Sequence, residues 1–258
     1  MAPVIHLVRH AQGYHNLSFE NQWMPDPDLT EFGKEQCEEL RKNFPYHDKI
    51  THLVASPIRR TIFTCQLSFA AAVTAGKKIV ALQDAQEVSL YPSDVGSDAE
   101  LLKKEFGDLV DFRLLTDDWN DKSPDSKYYP DPLKLEARAR SARQWLRDLV
   151  KGAGDDTHVA LVTHGGILHF LTEDCELLAG TGWDNTEYRS YEFADETGQD
   201  PNASLKELPE SLRRRQGSEI PLTDTEKREM RAAYESVMNE GIKHCLDTIS
   251  QQQLETSQ

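Results

Sequence analysis

The 258-residue chain is poor in cysteine, and its four, Cys37, Cys65, Cys175 and Cys245, lie far apart without a C-x-x-C pair. That spacing argues against a zinc knuckle or a redox dithiol and leaves them as reduced, small apolar residues. Basic charge is scarce: 29 Lys+Arg stand against 44 Asp+Glu, a net charge of −15. A nucleic-acid groove or an anionic membrane as partner would need a net basic face, so neither is expected. A small local nest of positive charge for an anion remains compatible. No run approaches the ~20 apolar residues that span a bilayer. The apolar start at residues 4–8 has no basic segment before it and is too short for a signal sequence. The expectation is a soluble, cytoplasmic protein, for which the sequons at Asn16 and Asn202 are chance matches. Walker-type glycine loops, H-E-x-x-H pairs, a Cys with an Arg six residues later, repeats and low-complexity segments are all missing.

What is present is an alternation of short β-branched runs with longer helical patterns, the pattern of an α/β fold. Strands are expected at residues 4–8, 51–55, 79–82 and 159–163. Helices are expected from Leu29 to Phe44 with Thr30 as cap, from Pro57 through Val73, over 133–150, and opening at Gly165-Gly166. The architecture predicted is a three-layer sandwich, a mostly parallel central sheet flanked by helices. The whole of 1–258 reads as a single domain with its core over 4–193. Residues 84–132, rich in Asp, Ser and Pro, read as one long insertion with a short helix over 98–106. After an edge strand at 187–193 comes a linker and then a carboxy-terminal helix over about 223–249, together 194–258. Its stripe of Met230, Tyr234, Val237, Ile242, Leu246 and Ile249 is open to burial within the monomer or in a homodimer. Arg213-Arg214-Arg215 reads as a solvated run.

In an open parallel sheet, ligands bind beyond the carboxyl ends of the strands. Here those ends run into Arg9-His10, Ser56-Pro57-Ile58-Arg59-Arg60, Gln83 through Glu87, and His164-Gly165-Gly166. Each alone is an ordinary strand-end residue; together they gather imidazoles, guanidinium groups and a carboxylate at one end of the sheet. That set suits phosphoryl transfer. A neutral imidazole can attack phosphorus, arginine forks match phosphate oxygens, and a carboxyl group kept protonated can supply a proton to the leaving oxygen.

Leu7-Val8-Arg9-His10-Ala11 followed by Asn16 resembles the signature of the histidine phosphatase superfamily, in its phosphoglycerate mutase-like branch. The similarity continues through residues 29–36, Ser56 to Thr61, Glu87, and Val162-Thr163-His164-Gly165-Gly166. The resemblance implies that His10 is the phosphorylated nucleophile and that Arg9, Arg60 and His164 complete the phosphate pocket. It further implies a donor from Asn16, close backbone approach at Gly165, and Glu87 as general acid, with Asp84 and Asp94 as alternatives. Arg59 then falls outside the pocket. The implied activity is a metal-independent phosphatase, free of cofactors, acting on a small-molecule phosphorylated substrate. A phosphomutase and a non-catalytic phospho-ligand binding module are the competing readings. Ala11 stands where the family usually has Gly, and Gln12-Gly13-Tyr14-His15 departs from the glycolytic mutases, which favours the phosphatase.

Asp26-Pro27-Asp28-Leu29-Thr30 also fits the D-x-D-x-T of haloacid dehalogenase-like phosphatases, but no strand precedes it, so these residues are expected to open a helix. His6, His15, His47, His52, His158, His169 and His244 have no ligand spacing and are expected in surface or structural roles.

Overall fold

The computed structural model describes residues 2–154, 156–174, 182–217 and 223–256. Five strands run parallel: β1 (Val4–Arg9), β2 (Ile50–Ala55), β3 (Ile79–Ala81), β4 (Val110–Asp111) and β5 (His158–Thr163). Two more extend the sheet past β1, β6 (Tyr188–Phe193) antiparallel to β1 and β7 (Leu205–Glu207) antiparallel to β6, giving the spatial order β4-β3-β2-β5-β1-β6-β7. Side chains alternate faces along each strand. Ile5, Leu7, Val159 and Leu161 therefore enter one core, and Val8, Ala160 and Val162 the other.

The first core is covered by α5 (Pro132–Leu149) and α6 (Gly165–Thr172). The second is covered by α1 (Glu31–Asn43), α2 (Arg59–Ser68), α3 (Ala70–Thr74) and α4 (Ala99–Phe106). Local chemistry sets where these helices start. Thr30 Oγ1 accepts the Gly33 N–H at 2.9 Å to cap α1. Asp131 accepts from Leu133 and Lys134 at 3.0 and 3.2 Å, with Pro132 at the first helical position of α5. The three-layer architecture is thus as expected.

Several expectations need correction. The helix expected to run unbroken from Pro57 to Val73 is two, because Phe69 leaves helical geometry (φ −110°, ψ 33°) and seats its fully buried ring edge-on against Phe44. The strand ending at Phe193 is not an edge, since β7 pairs outside it, with Phe193 opposite Leu205. Residues 194–222 are accordingly more than a linker: they also hold α7 (Pro209–Gln216). Two of the three consecutive arginines are not simply solvated. Arg214 donates to the Tyr188 carbonyl (2.8 Å) and lies 4.0 Å over its ring, while Arg215 is paired with Glu207 and Asp174.

The last helix, α8 (Asp224–Thr256), lays Tyr234 and Met238 on the first core and buries Cys245, but leaves Val237 and Leu246 outside. Cys37 and Cys65 are buried free thiols like Cys245; Cys175 lies outside the described residues. Among the described residues no helix is long and apolar enough to cross a membrane.

The insertion 84–132 contributes more than a cover. It supplies β4 and α4, and Leu102, Phe106, Val110, Phe112 and Trp119 join the second core. Trp119 is fully buried against Gly96, where even a methyl group would come within 1.9 Å of its ring. Trp119→Ala should lower unfolding free energy by about 3–5 kcal/mol. Urea denaturation would read this as a lower midpoint, and an unchanged midpoint would mean that the insertion does not share the core.

Candidate active site

Four strand ends converge. His10 follows β1, Arg60 lies in the first turn of α2 beyond β2, Glu87 follows the turn after β3, and His164 follows β5. Each approach is fixed locally. The amino end of α2 is capped from a distance: buried Asp26 accepts from the Arg59 N–H at 3.0 Å and from the Ser97 N–H and hydroxyl at 2.9 and 2.7 Å. The Thr163 hydroxyl donates to the Ala85 carbonyl at 2.6 Å, tying the Glu87 turn to β5.

His10 is 2% exposed. Its Nδ1 lies 2.7 Å from the Ala11 carbonyl, which can only accept, so the ring proton sits there. Nε2 keeps its lone pair and accepts from Arg60 Nε at 3.2 Å. Burial, then Arg60, Arg9 and His15, hold the ring well below the ordinary histidine range, so it is neutral at pH 7.

Arg60 is wholly buried and donates to the Ser93 carbonyl (2.5 Å), Asp94 (2.7 Å) and His164 Nδ1 (3.0 Å). A guanidinium has no acceptor, so His164 Nδ1 must accept, and its Nε2–H donates to Ser56 Oγ at 2.8 Å. Burial and Arg60 keep His164 neutral too. Arg9 donates to the Trp183 carbonyl, and its buried Nε has no acceptor among the described residues. That leaves one guanidinium donor free to meet an anion.

The candidate carboxylates differ in environment. Burial raises Asp94, but Arg60, Lys122 and the Ser89 hydroxyl outweigh it and hold this group ionised, below the usual range. Glu87 is raised by burial and by the Asp94 charge, despite N–H donors from Val88 (2.9 Å), Gly166 (3.1 Å) and Ile167 (3.1 Å). A proton is therefore better held on Glu87 than on Asp94. Asp84 is bracketed by Ser141 (2.7 Å) and Lys127 (3.2 Å) and serves the packing of α5.

The sequence-predicted residues His10, Arg9, Arg60, Glu87 and His164 thus meet around one centre. Asn16 is exposed; its Oδ1 accepts from Gly13 N–H (3.1 Å), leaving the amide NH2 as the free donor. Gly165 is the less demanding of the two glycines: a Cβ there would sit 3.4 Å from Arg9 Nε, in ordinary contact. At Gly166 it would come within 2.5 Å of Glu87 Oε1, so the carboxylate's seat at the start of α6 needs that glycine. Arg59 lies outside the pocket, paired with Asp28 and Glu105 on the surface, as expected. Of the D-x-D-x-T residues, Thr30 caps α1 as expected and Asp26 anchors α2 instead.

Two site residues were not legible. His15, expected to be surface or structural, is buried with its ring 5.4 Å from that of His10, and burial and Arg60 push it down to about 3. Its one signal is its place in the same loop, five residues past His10. Lys122, deep in the insertion, donates to the Glu87 and Ser89 carbonyls at 2.8 and 2.7 Å, and burial lowers it to about 7. No sequence spacing pointed to it.

A neutral imidazole, one buried and one partly buried guanidinium group and a protonatable carboxyl at the carboxyl ends of a parallel sheet define an anion site of α/β phosphoryl-transfer type. The family model for the histidine phosphatase superfamily (branch 1) matches residues 5–199. This chain belongs to that superfamily. A curated relative, phosphoglycerate mutase-like protein 1 of Arabidopsis thaliana, is 39% identical over 70 residues, a match covering 23% of this chain and 25% of that protein. Among solved structures, the ecdysone phosphate phosphatase of Bombix mori, in complex with tungstate, superposes with a TM-score of 0.53 at 13% identity, covering 86% of this chain and 94% of that one. Mycobacterial hydrolase 1 superposes with a TM-score of 0.51 at 16% identity, covering 80% and 97%. At these identities the two structures share the fold.

The buried histidines set an acid limit on stability. His6 and His15 are depressed to about 3, and His10 and His164 lie well below 6.5. In the unfolded chain each titrates near 6.5, so below that pH only the unfolded state takes up the protons. Each histidine then costs up to about 1.4 kcal/mol per pH unit between about 6.5 and its folded value. Asp26, Glu87 and Asp174, raised by burial, act in the opposite sense. Urea midpoints should fall from pH 7 to pH 5, and His15→Asn should flatten that slope. A midpoint rising toward pH 5 would contradict the assignment of neutral buried rings.

Proposed function

We propose that this protein is a phosphomonoesterase that moves the phosphoryl group of a small-molecule ester first to His10 and then to water, without a metal. The observation that carries the reading is the tautomer of His10. With its proton committed to the Ala11 carbonyl, the Nε2 lone pair lies in the pocket beside Arg60. A ring kept neutral by burial is a nucleophile at pH 7.

In the first step Nε2 forms the P–N bond as the P–O bond to the leaving alcohol breaks. Arg60 and Arg9 meet the charge on the equatorial oxygens. Glu87, raised by burial, gives its proton to the leaving oxygen so that a neutral alcohol departs. In the second step the Glu87 carboxylate takes a proton from a water that attacks phosphorus. The P–N bond breaks, and His10, protonated Glu87 and inorganic phosphate result. Asn16 and His164 complete the set, the first through its free amide donors, the second by holding Arg60. Family membership supports phosphoryl transfer in general. A mutase would share the first step and return the phosphoryl group to a reoriented substrate instead of water.

Phosphate release from sugar, glycerate, prenyl and aryl phosphates in excess EDTA should persist in wild type and vanish in His10→Ala. Glu87→Gln should reduce kcat by about 10²–10⁴ on alkyl phosphates and much less on a nitrophenyl ester, whose leaving group needs no proton. Dependence on added metal, activity in His10→Ala, or isomer exchange that outruns release would each overturn this function.

A further inference from the structure

Away from the strand-end site, a cavity of about 450 Å³ lies between α5, the end of α6 and the first turns of α8. Five cationic side chains line it, Arg140, Arg143, Lys227, Arg228 and Arg231, against the carboxylates of Glu136 and Glu173. Such a concentration stands out in a chain with a net charge of −15. Two of the cations are already committed. Arg143 is 3% exposed and fixed by the carbonyls of Asn202 (3.0 Å) and Phe170 (2.8 Å), with Glu173 at 3.5 Å. Arg231 is paired with Glu136 at 3.1 Å and lies over the Phe170 ring.

Among the described residues the charged ends of Arg140 and Lys227 make no hydrogen bond or ion pair, Lys227 acting only through its charge on Asp174, and Arg228 bonds only the Thr225 hydroxyl, at 3.2 Å. Like charges held together around a cavity repel one another. Burial, and then the neighbouring Arg140 and Arg231, lower Arg143 in spite of Glu173. A bound anion would relieve that repulsion, and an Arg fork matches phosphate oxygens at any working pH.

We propose that this cavity is a second anion site, taking a compact, multivalent phosphate compound of the pyrophosphate or nucleoside polyphosphate class. The excess of cations over carboxylates calls for more than one negative charge, and the volume calls for a small molecule. Its uncommitted cations come from both sides: Arg140 from α5, Lys227 and Arg228 from α8. The ligand therefore bridges the carboxy-terminal helix to the sheet-covering helix, and its binding holds α8 in place.

Pyrophosphate binding followed by calorimetry and by amide hydrogen exchange tests this without reference to catalysis. In wild type, exchange should slow over residues 132–149 and 224–245, with sulfate at equal ionic strength as the control. Arg140→Ala/Lys227→Ala, which changes cations that make no hydrogen bond or ion pair among the described residues, should bind at this site about tenfold or more weakly and lose that protection. Protection by the same probe around His10 and Arg60 should survive in the variant. The site is refuted by protection of α5 and α8 that persists in the variant, by protection confined to the His10 pocket, or by an equal effect of sulfate.

Discussion

A guanidinium withdrawn completely from water costs several kcal/mol unless its charge and its donors are met, and Arg60 is such a group. Most of the site is explained by what meets it. Asp94 supplies the opposite charge, and the Ser93 carbonyl, His164 and His10 take three further N–H groups, four of the five in all. Both histidines have to be neutral acceptors to fill these places. The tautomers of His10 and His164 follow, because each ring's other nitrogen must find an acceptor, at Ala11 and Ser56 respectively. One buried cation thus fixes the protonation of two imidazoles in the strand-end site.

The same cation divides the carboxylates. Asp94, in contact with Arg60, stays ionised; Glu87, which makes no ion pair with Arg60, feels burial and the Asp94 charge, and is pushed toward its protonated form. Two acidic groups close together are thereby driven apart in protonation, the condition under which one can serve as counterion and the other as acid. Lys122 stabilises the arrangement from the insertion side, holding the backbone of Glu87 and Ser89 with its ammonium group.

How much of this could be read in the sequence depended on the range of the interaction. Strands β1, β2, β3 and β5 and the helices α1, α5 and α6 declare themselves by local periodicity and caps, and the residues just beyond those strands are the ones that meet in the site. What was hidden depends on distant partners. β4 is two residues long, too short to alternate. The break at Phe69 follows from packing against Phe44, and the place of β7 outside β6 from pairing with residues fourteen positions back, as between Lys206 and Glu192. His15 and Lys122 look like surface residues because their own neighbours in sequence are polar; it is the folding of the 10–30 loop and of the insertion over the strand ends that buries them.

The overall charge of −15 also bears on how such a site works. A net charge of that sign works against long-range attraction of the anionic substrate proposed above. In the proposed reaction, recognition rests on short contacts inside the pocket, where low dielectric strengthens each hydrogen bond from Arg9 and Arg60. On the proposed reaction, an anion has to reach the unpartnered Arg9 Nε and share Arg60 with Asp94 to offset the opposing net charge of the chain.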